Sequence, residues 1–596
     1  MRFRSLRKWG DLEELKPLVY LSQLLEEMLF DFSLDTYKPS ATNSSLLCLE
    51  ALSVIQEIEK GAIKKPNIDH VIEEFSDSLK RDNISKALIS LDLEKALSEI
   101  QNRTLPISNR KVTLEILFSE IDIESYKSKN EELLISAIKD QKENKTIRSL
   151  ARSYITTLKN YGYSSKWLYE VTTSFFSFGS NRIESLDAIE EYIGLFQKEE
   201  KKYSAIYRSS AIFKSISDSC QKLGMTVSDT LDEISDHLNK SRFKLRNEDE
   251  TYVLVGGISG LDSYIAREKA DQRMEIVSTL LTLFHHKEHP TWAKDCLVVC
   301  EGEENARKIK KSINPMHKCL DLRKEKASKR LNALISEFAL DDNSFPKFTR
   351  SAELHSLALN NDSFENQMIN LWIALESLVP PKTNDEQSNI ESIIDACVPF
   401  LNLNYLNRLL ERLLGDLINW NKPELNKALR NISAESLKAK LVKLMVLEEH
   451  KTKMEDLVSS FRDFHLLRER FSYIKSIVEC PKSIQKTLDS HEKRVKWQIR
   501  RIYRARNIIV HTGNTPPFTP ILIENIHDYL DLIMGTLVTL ASSGRKISSV
   551  EQGFKYIQLN NNAYKEILKK TNKELFLADI EKYLFKYATH PLPAPR

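Results

Sequence analysis

A mainly α-helical, multidomain protein with a small α+β segment in its middle is the fold class this sequence predicts, and three observations predict it. A chain of 596 residues is too long for one ordinary hydrophobic core. Its 15 Gly and 18 Pro are too few for the turns of an all-β chain, while Leu, Lys and Glu, which helices favour, are plentiful. Apolar residues recur at helical spacing along most of the chain and shift to short β-prone runs only in the stretch beginning near about residue 200.

Residues 1–195 read as an α-helical N-terminal region, with helices over Leu15–Phe32, Ser44–Lys60, around Val71–Leu79 and over Leu133–Tyr161, separated by polar breaks. Residues 196–335 read as an α+β domain. Its β-prone runs are Ser204–Ile216, Thr251–Val255 and Cys296–Cys300, with a helix through Ile265–Phe284 between the last two. A helix from Pro315 to Phe338 carries its proline at the start, and Asp341–Pro346 marks a boundary. Residues 345–560 form a second helical domain. Within it Phe364–Val379 is apolar nearly all round, as a buried helix is, and Glu376 is its one charge between Glu365 and Lys382. Pro380-Pro381 ends that helix and a polar loop runs from Lys382 to Asn389. Amphipathic helices follow over about 390–480, among them Leu403–Trp420 and Glu435–Leu447. Ile521–Leu540 supplies a closing helix, and residues 561–596 a last helix and a tail from His590.

Composition narrows the setting. The seven cysteines, at 48, 220, 296, 300, 319, 397 and 480, are odd in number and form no Cys-x-x-Cys pair, which predicts a reduced, cytoplasmic protein. The charged opening Met1–Asp11 lacks the apolar centre of a signal peptide, and Leu532–Gly544 is uncharged over too short a run to span a bilayer, so no membrane contact is expected. Net charge is only +3 for the whole chain. Residues 491–511 nevertheless hold Lys493, Arg494, Lys496, Arg500, Arg501, Arg504 and Arg506 against the single acid Glu492, a larger excess on one helix than in the entire protein.

That helix carries the chemistry. Val495, Ile499, Ile502 and Ile509 fall on one apolar stripe, and Arg506 stands in it where another aliphatic residue belongs. Arg500, Arg504, Asn507 and His511 line up on an adjoining polar stripe, and Gly513 with Pro516-Pro517 terminates the helix. An arginine offers a fixed fork of donors to a phosphate; histidine both takes and gives protons near neutrality. Cleavage of RNA by its own 2′-OH needs an acid, a base and a cation for the developing phosphorane, and no metal. Arg506, Asn507 and His511 are therefore the candidate catalytic residues, with His511 moving protons, Arg506 stabilising phosphate and Asn507 orienting the imidazole. On an ideal helix Arg506 and His511 point about 140° apart, so convergence needs a loosened last turn, a long reach by Arg506 or a second subunit. Glu376 and Arg506, each a lone charge on an apolar surface, are expected to meet as a buried pair. Lys496, Arg500, Arg501 and Arg504 are candidate RNA-phosphate contacts, with Trp497 and Tyr503 as stacking surfaces.

Two segments, Leu371-Trp-Ile-Ala-Leu-Glu376-Ser-Leu378 and Ile502-Tyr-Arg-Ala-Arg506-Asn507-Ile-Ile-Val-His511-Thr-Gly513, resemble the HEPN superfamily, whose ribonucleases use an Arg-x4–6-His motif, and within it the Apea-like branch. The resemblance covers about the last two-fifths of the chain. It implies a C-terminal HEPN helical bundle at 345–560, to which the helices of about 390–480 are an insertion. It also implies metal-independent RNA cleavage in phage defence or stress-induced growth arrest, by a homodimer pairing two motifs. A non-catalytic HEPN module that binds RNA or a protein partner is the alternative. The regions before it would sense a trigger or restrain the nuclease.

Other patterns carry less. Arg350-Ser-Ala-Glu-Leu-His355 repeats the spacing without the Asn, at a helix start, and reads as coincidence. His285, His289, Cys296 and Cys300 match no standard zinc spacing, and Gly256-Gly257-Ile-Ser-Gly260 fits neither the dinucleotide nor the P-loop pattern. No metal and no cofactor are expected.

Overall fold

The computed structural model describes all residues except 34–37, 39, 197–198, 231–242, 304, 319–321, 338–339, 382–387, 543–545 and 587–596, together with the side chains of 333 and 337. Cys319, most of the polar loop expected from Lys382 and the tail from His590 lie outside the described residues. Helix makes up 67 % of the structure, against a single five-stranded antiparallel sheet in its middle among the described residues, so the mainly α reading holds.

The first helices form where their apolar stripes and caps predict. They are α1 (Lys16–Leu29), α2 (Ser44–Glu59) and α3 (Pro66–Leu79). The Asn43 side chain accepts from the Leu46 N–H at the start of α2, and a proline opens both α1 and α3. The expected single helix over Leu133–Tyr161 is two, α4 (Ile123–Lys139) and α5 (Asn144–Tyr161), because Gln141 takes a left-handed φ of 51° between them. Helix α6 (Ser165–Thr173) follows.

The middle region is built on β1 (Lys201–Ser210), β2 (Met225–Ser228), β3 (Glu250–Gly260), β4 (Trp292–Cys300) and β5 (Arg307–Lys310), with α7 (Ser263–Thr282) packed on the sheet. Spatial order is β2-β3-β1-β4-β5. Ala205 of β1 lies opposite Val255 of β3 and Val298 of β4. Tyr203, Ala205 and Tyr207 share one buried cluster with Ala266, Ala270 and Met274 of α7. Ile206, pointing the other way, packs with Phe243 and Tyr252. The two short strands β2 and β5 lack the run of apolar residues that made the other three readable.

The C-terminal half comprises α8 (Ser344–Leu359), α9 (Phe364–Leu378), α10 (Asn389–Leu429), α11 (His465–Val478), α12 (Pro481–Thr512), α13 (Thr519–Ser542) and α14 (Val550–Lys570), with shorter helices between. Helix α10 breaks at Asn421, two residues before Pro423. Asn421 Oδ1 accepts from the Glu424 N–H and restarts the helix. The expected edge at 560 falls inside α14. Helix α10, in the segment expected as an insertion, packs directly on α12 and α13.

One apolar core runs from α1 through α4, α5 and α6 into α8–α14, so part of the N-terminal region and the whole C-terminal half share an interior. Helices α2 and α3 belong to a separate cluster with the helices at Leu93–Gln101 and Ile107–Glu120, and α3 also reaches α12. Among the described residues no helix is long and apolar enough to cross a membrane, and α13, which includes residues 532–542 of the uncharged run, is a core helix.

Candidate active site on the motif helix

Helix α12 is set by its ends and its stripe. Pro481 occupies the first turn, and Gly513 closes the last with φ of 71°, its N–H bonded to the Ile509 carbonyl. Val495, Ile499, Ile502 and Ile509 are buried as the period predicts. Arg506, standing in that stripe, is half-buried. Its Nη1 donates to Asn507 Oδ1 at 3.0 Å, while its Nε is buried without a hydrogen-bond partner. Asn507 is buried at 8 % exposure, and His511, one turn on, is exposed beside the exposed Val510. Bonding to Asn507 turns the Arg506 guanidinium toward the side of the helix on which Asn507 and His511 lie.

The expected Glu376–Arg506 pair does not form: Arg506 bonds Asn507, and Glu376 is exposed. The reason is helix direction. Trp372 of α9 packs on Tyr503 of α12 with ring centroids 5.4 Å apart, and Glu365 near the start of α9 accepts from Thr515 just past the end of α12. The two helices are therefore antiparallel. Glu376 lies four residues beyond Trp372 in one direction and Arg506 three beyond Tyr503 in the other, which separates them along the axis by about 10 Å at 1.5 Å per residue. The carboxylate that α9 does bring to the motif's end is Glu365. Burial would raise it, but hydrogen bonds from Thr515 and Ser363 outweigh burial and hold it below the ordinary range. Its sequence gave no hint of this, because it lies on the polar first turn of its helix.

The basic excess is also spent internally. Lys496 pairs with Glu492 at 3.0 Å, and Arg500 grips Glu391 of α10 through Nε and Nη2 at 3.0 and 3.1 Å. Arg501 donates to Glu50 at 3.0 Å and to Glu74 at 2.6 Å, and Arg504 donates to Glu50 at 2.6 Å. Arg501 and Arg504 are each 3 % exposed. They face α2 and α3, not solvent, which corrects the expectation that they meet RNA phosphates. Lys493 pairs with Asp77 at 2.8 Å. Of the seven cations only Arg494, at 3.4 Å from the Tyr405 hydroxyl, and Arg506 have no carboxylate partner among the described residues. Trp497 is buried and Tyr503 half-buried against Trp372, so neither offers an open stacking face.

Electrostatics follow the same clamp. Burial alone would raise the Glu50 carboxyl, but Arg501 and Arg504 together hold it below its ordinary value. At Glu74 burial prevails over Arg501 and the carboxyl is raised. Burial, with Arg500 and Arg504 nearby, pushes His70 of α3 down to about 4.

Among the described residues His285, His289, Cys296 and Cys300 form no metal-ligating group. Cys296 is buried in β4, its thiol pushed up to about 12 by burial, whereas His285 and His289 are exposed in the segment after α7. His355, set aside with the second Arg-x4-His match, sits in the fourth turn of α8 and not at its start, facing His527 and Asp531 of α13. No family model matches the chain, and no curated protein or solved structure does either.

Proposed function

We propose that this chain is a HEPN-type, metal-independent endoribonuclease that cleaves RNA by attack of the 2′-OH on the adjacent phosphorus, in phage defence or stress-induced growth arrest. The observation that carries the reading is the Arg506–Asn507 hydrogen bond, which draws a guanidinium with no carboxylate partner toward the side of the helix that ends in an exposed imidazole. His511 exchanges the proton of the 2′-OH or of the leaving 5′-oxygen. Arg506 meets the phosphate, and Asn507 steadies the pair from between them.

One imidazole serves one proton transfer at a time, and cleavage needs two. A two-fold homodimer placing two α12 ends in one groove supplies both, and the exposure of Val510 and His511 leaves that end of the helix available for it. The test is purified protein against total tRNA and rRNA with end-group analysis. Fragments ending in 2′,3′-cyclic phosphate, lost in His511→Ala, are the expected result. Tagged mixed dimers with one His511→Ala chain should fall well below half of wild-type activity; retention of half removes the composite site.

The internal pairing of Lys493, Lys496, Arg500, Arg501 and Arg504 favours a second reading, a non-catalytic HEPN module whose motif helix is held for structure. Unaltered RNA recovered from the same assay decides for it. Under the catalytic reading, the carboxylates of α2 and α3 restrain the motif helix, giving the N-terminal region its regulatory place.

A further inference from the structure

Away from α12, two histidines and an aspartate converge where α8 packs on α13. His527 and Asp531 are one turn apart on α13, and His355 approaches from α8. His355 Nε2 lies 3.3 Å from Asp531 Oδ1, and His527 Nε2 lies 3.3 Å from Asp531 Oδ2. The two rings are 4.9 Å apart, and one ligand atom from each of the three residues falls within 4.8 Å of the others.

The Nε2 atom of each imidazole faces the Asp531 carboxylate, yet His355 Nε2 is buried and forms no hydrogen bond despite its closeness to Asp531. It is turned into the cluster without donating to the carboxylate, as a ligand atom would be. A metal ion meets the geometry. With ligand distances of about 2.0–2.1 Å, neighbouring donors of a tetrahedral site stand about 3.3 Å apart, which is the separation of each imidazole nitrogen from the Asp531 oxygen it faces. The adjacent Asp528 does not compete, because Arg408 holds it at 2.6 and 2.8 Å. His527 is 3 % exposed, His355 23 % and Asp531 46 %, so the inner side of the site is closed by protein and the outer side faces solvent.

We propose that His355, His527 and Asp531 form a binding site for a first-row divalent transition ion, zinc being the probe, with solvent completing the coordination. Two imidazoles and one carboxylate suit this class over magnesium or calcium, which prefer all-oxygen shells. The ion joins α8 to α13 and shares no residue with the Arg506–His511 motif, so the proposal stands apart from the ribonuclease reading.

The test uses the full chain, stripped with chelator and desalted. Zinc is titrated calorimetrically into wild type and into His355→Gln and Asp531→Asn, both at partly exposed positions, with circular dichroism to confirm that each variant is folded. Wild type is expected to bind one zinc per chain that each variant binds at least about tenfold more weakly. Cobalt(II) should give a visible absorption band in wild type that Asp531→Asn loses, and zinc should raise Tm in wild type alone. Equal stoichiometry, affinity and zinc-induced Tm shift in wild type and both variants would overturn the site.

Discussion

Glu50→Gln is the substitution that most directly probes how the N-terminal region holds the motif helix. Glu50 is 9 % exposed and lies between two guanidinium groups that are each 3 % exposed, with contacts of 3.0 Å to Arg501 and 2.6 Å to Arg504. Glutamine keeps the shape and removes the charge. Arg501 retains Glu74, but Arg504 has no other carboxylate within ion-pair distance among the described residues and its Nε is already without a partner. One buried cation is left uncompensated, which costs about 3–5 kcal/mol. That agrees with the attraction of about 4 kcal/mol between unit charges 4 Å apart at an effective dielectric constant of 20. Urea unfolding at pH 7, followed by circular dichroism and tryptophan fluorescence, reads the loss. Because Glu50 and Arg504 touch, Glu50→Gln/Arg504→Gln should be more stable than the sum of the single changes predicts, by about 1–3 kcal/mol. A Glu50→Gln protein within about 1 kcal/mol of wild type, or strict additivity in the double variant, would refute the clamp.

Three further outcomes are expected. His511→Ala should abolish cleavage with Tm unchanged, since the side chain is exposed at a helix end, and Glu376→Ala should alter stability by no more than about 0.5 kcal/mol because Glu376 is exposed and lacks the Arg506 pair. Cleavage at 25 °C should survive EDTA even where chelation lowers Tm through the α8–α13 site; strict dependence on added Mg²⁺ or Mn²⁺ would move the chemistry away from α12. Acidification should destabilise the protein through His70. Its folded value of about 4 lies below the ordinary 6.5, so the unfolded chain takes up the proton first and stability falls as pH drops from about 6.5 toward 4. The loss attributable to this group at pH 5 is about 2 kcal/mol. Comparing the unfolding pH profile with that of His70→Gln isolates it from Glu74, whose raised carboxyl has the opposite sign, and identical profiles would remove the assignment.

Periodicity and punctuation determined the local structure. The apolar stripes, the proline at the start of α12 and Gly513 at its end are properties of neighbours a few residues apart, and the geometry of one helix is enough to read them. The same holds for β1, β3 and β4, whose apolar runs mark them, and for the weakness of β2 and β5, which are strands because the sheet pairs them. The Arg506-Asn507-His511 spacing belongs to this class, as does the side of α12 on which Asn507 and His511 lie.

What a charge meets was decided only by the tertiary structure. The cations of α12 looked free because nothing local neutralises most of them; their partners Glu50, Glu73, Glu74 and Asp77 lie more than 400 residues earlier, on α2 and α3. Glu376 looked buried because its helix is apolar, yet burial belongs to a face and not to a helix, and antiparallel packing carried Glu376 away from Arg506. His355 looked incidental for the converse reason: its ligating neighbours stand on a helix far along the chain, and only the packing of α8 on α13 brings the three together. Long-range Coulomb and coordination partners leave no periodic trace, because the folded chain sets their distance and the spacing of residues along it does not.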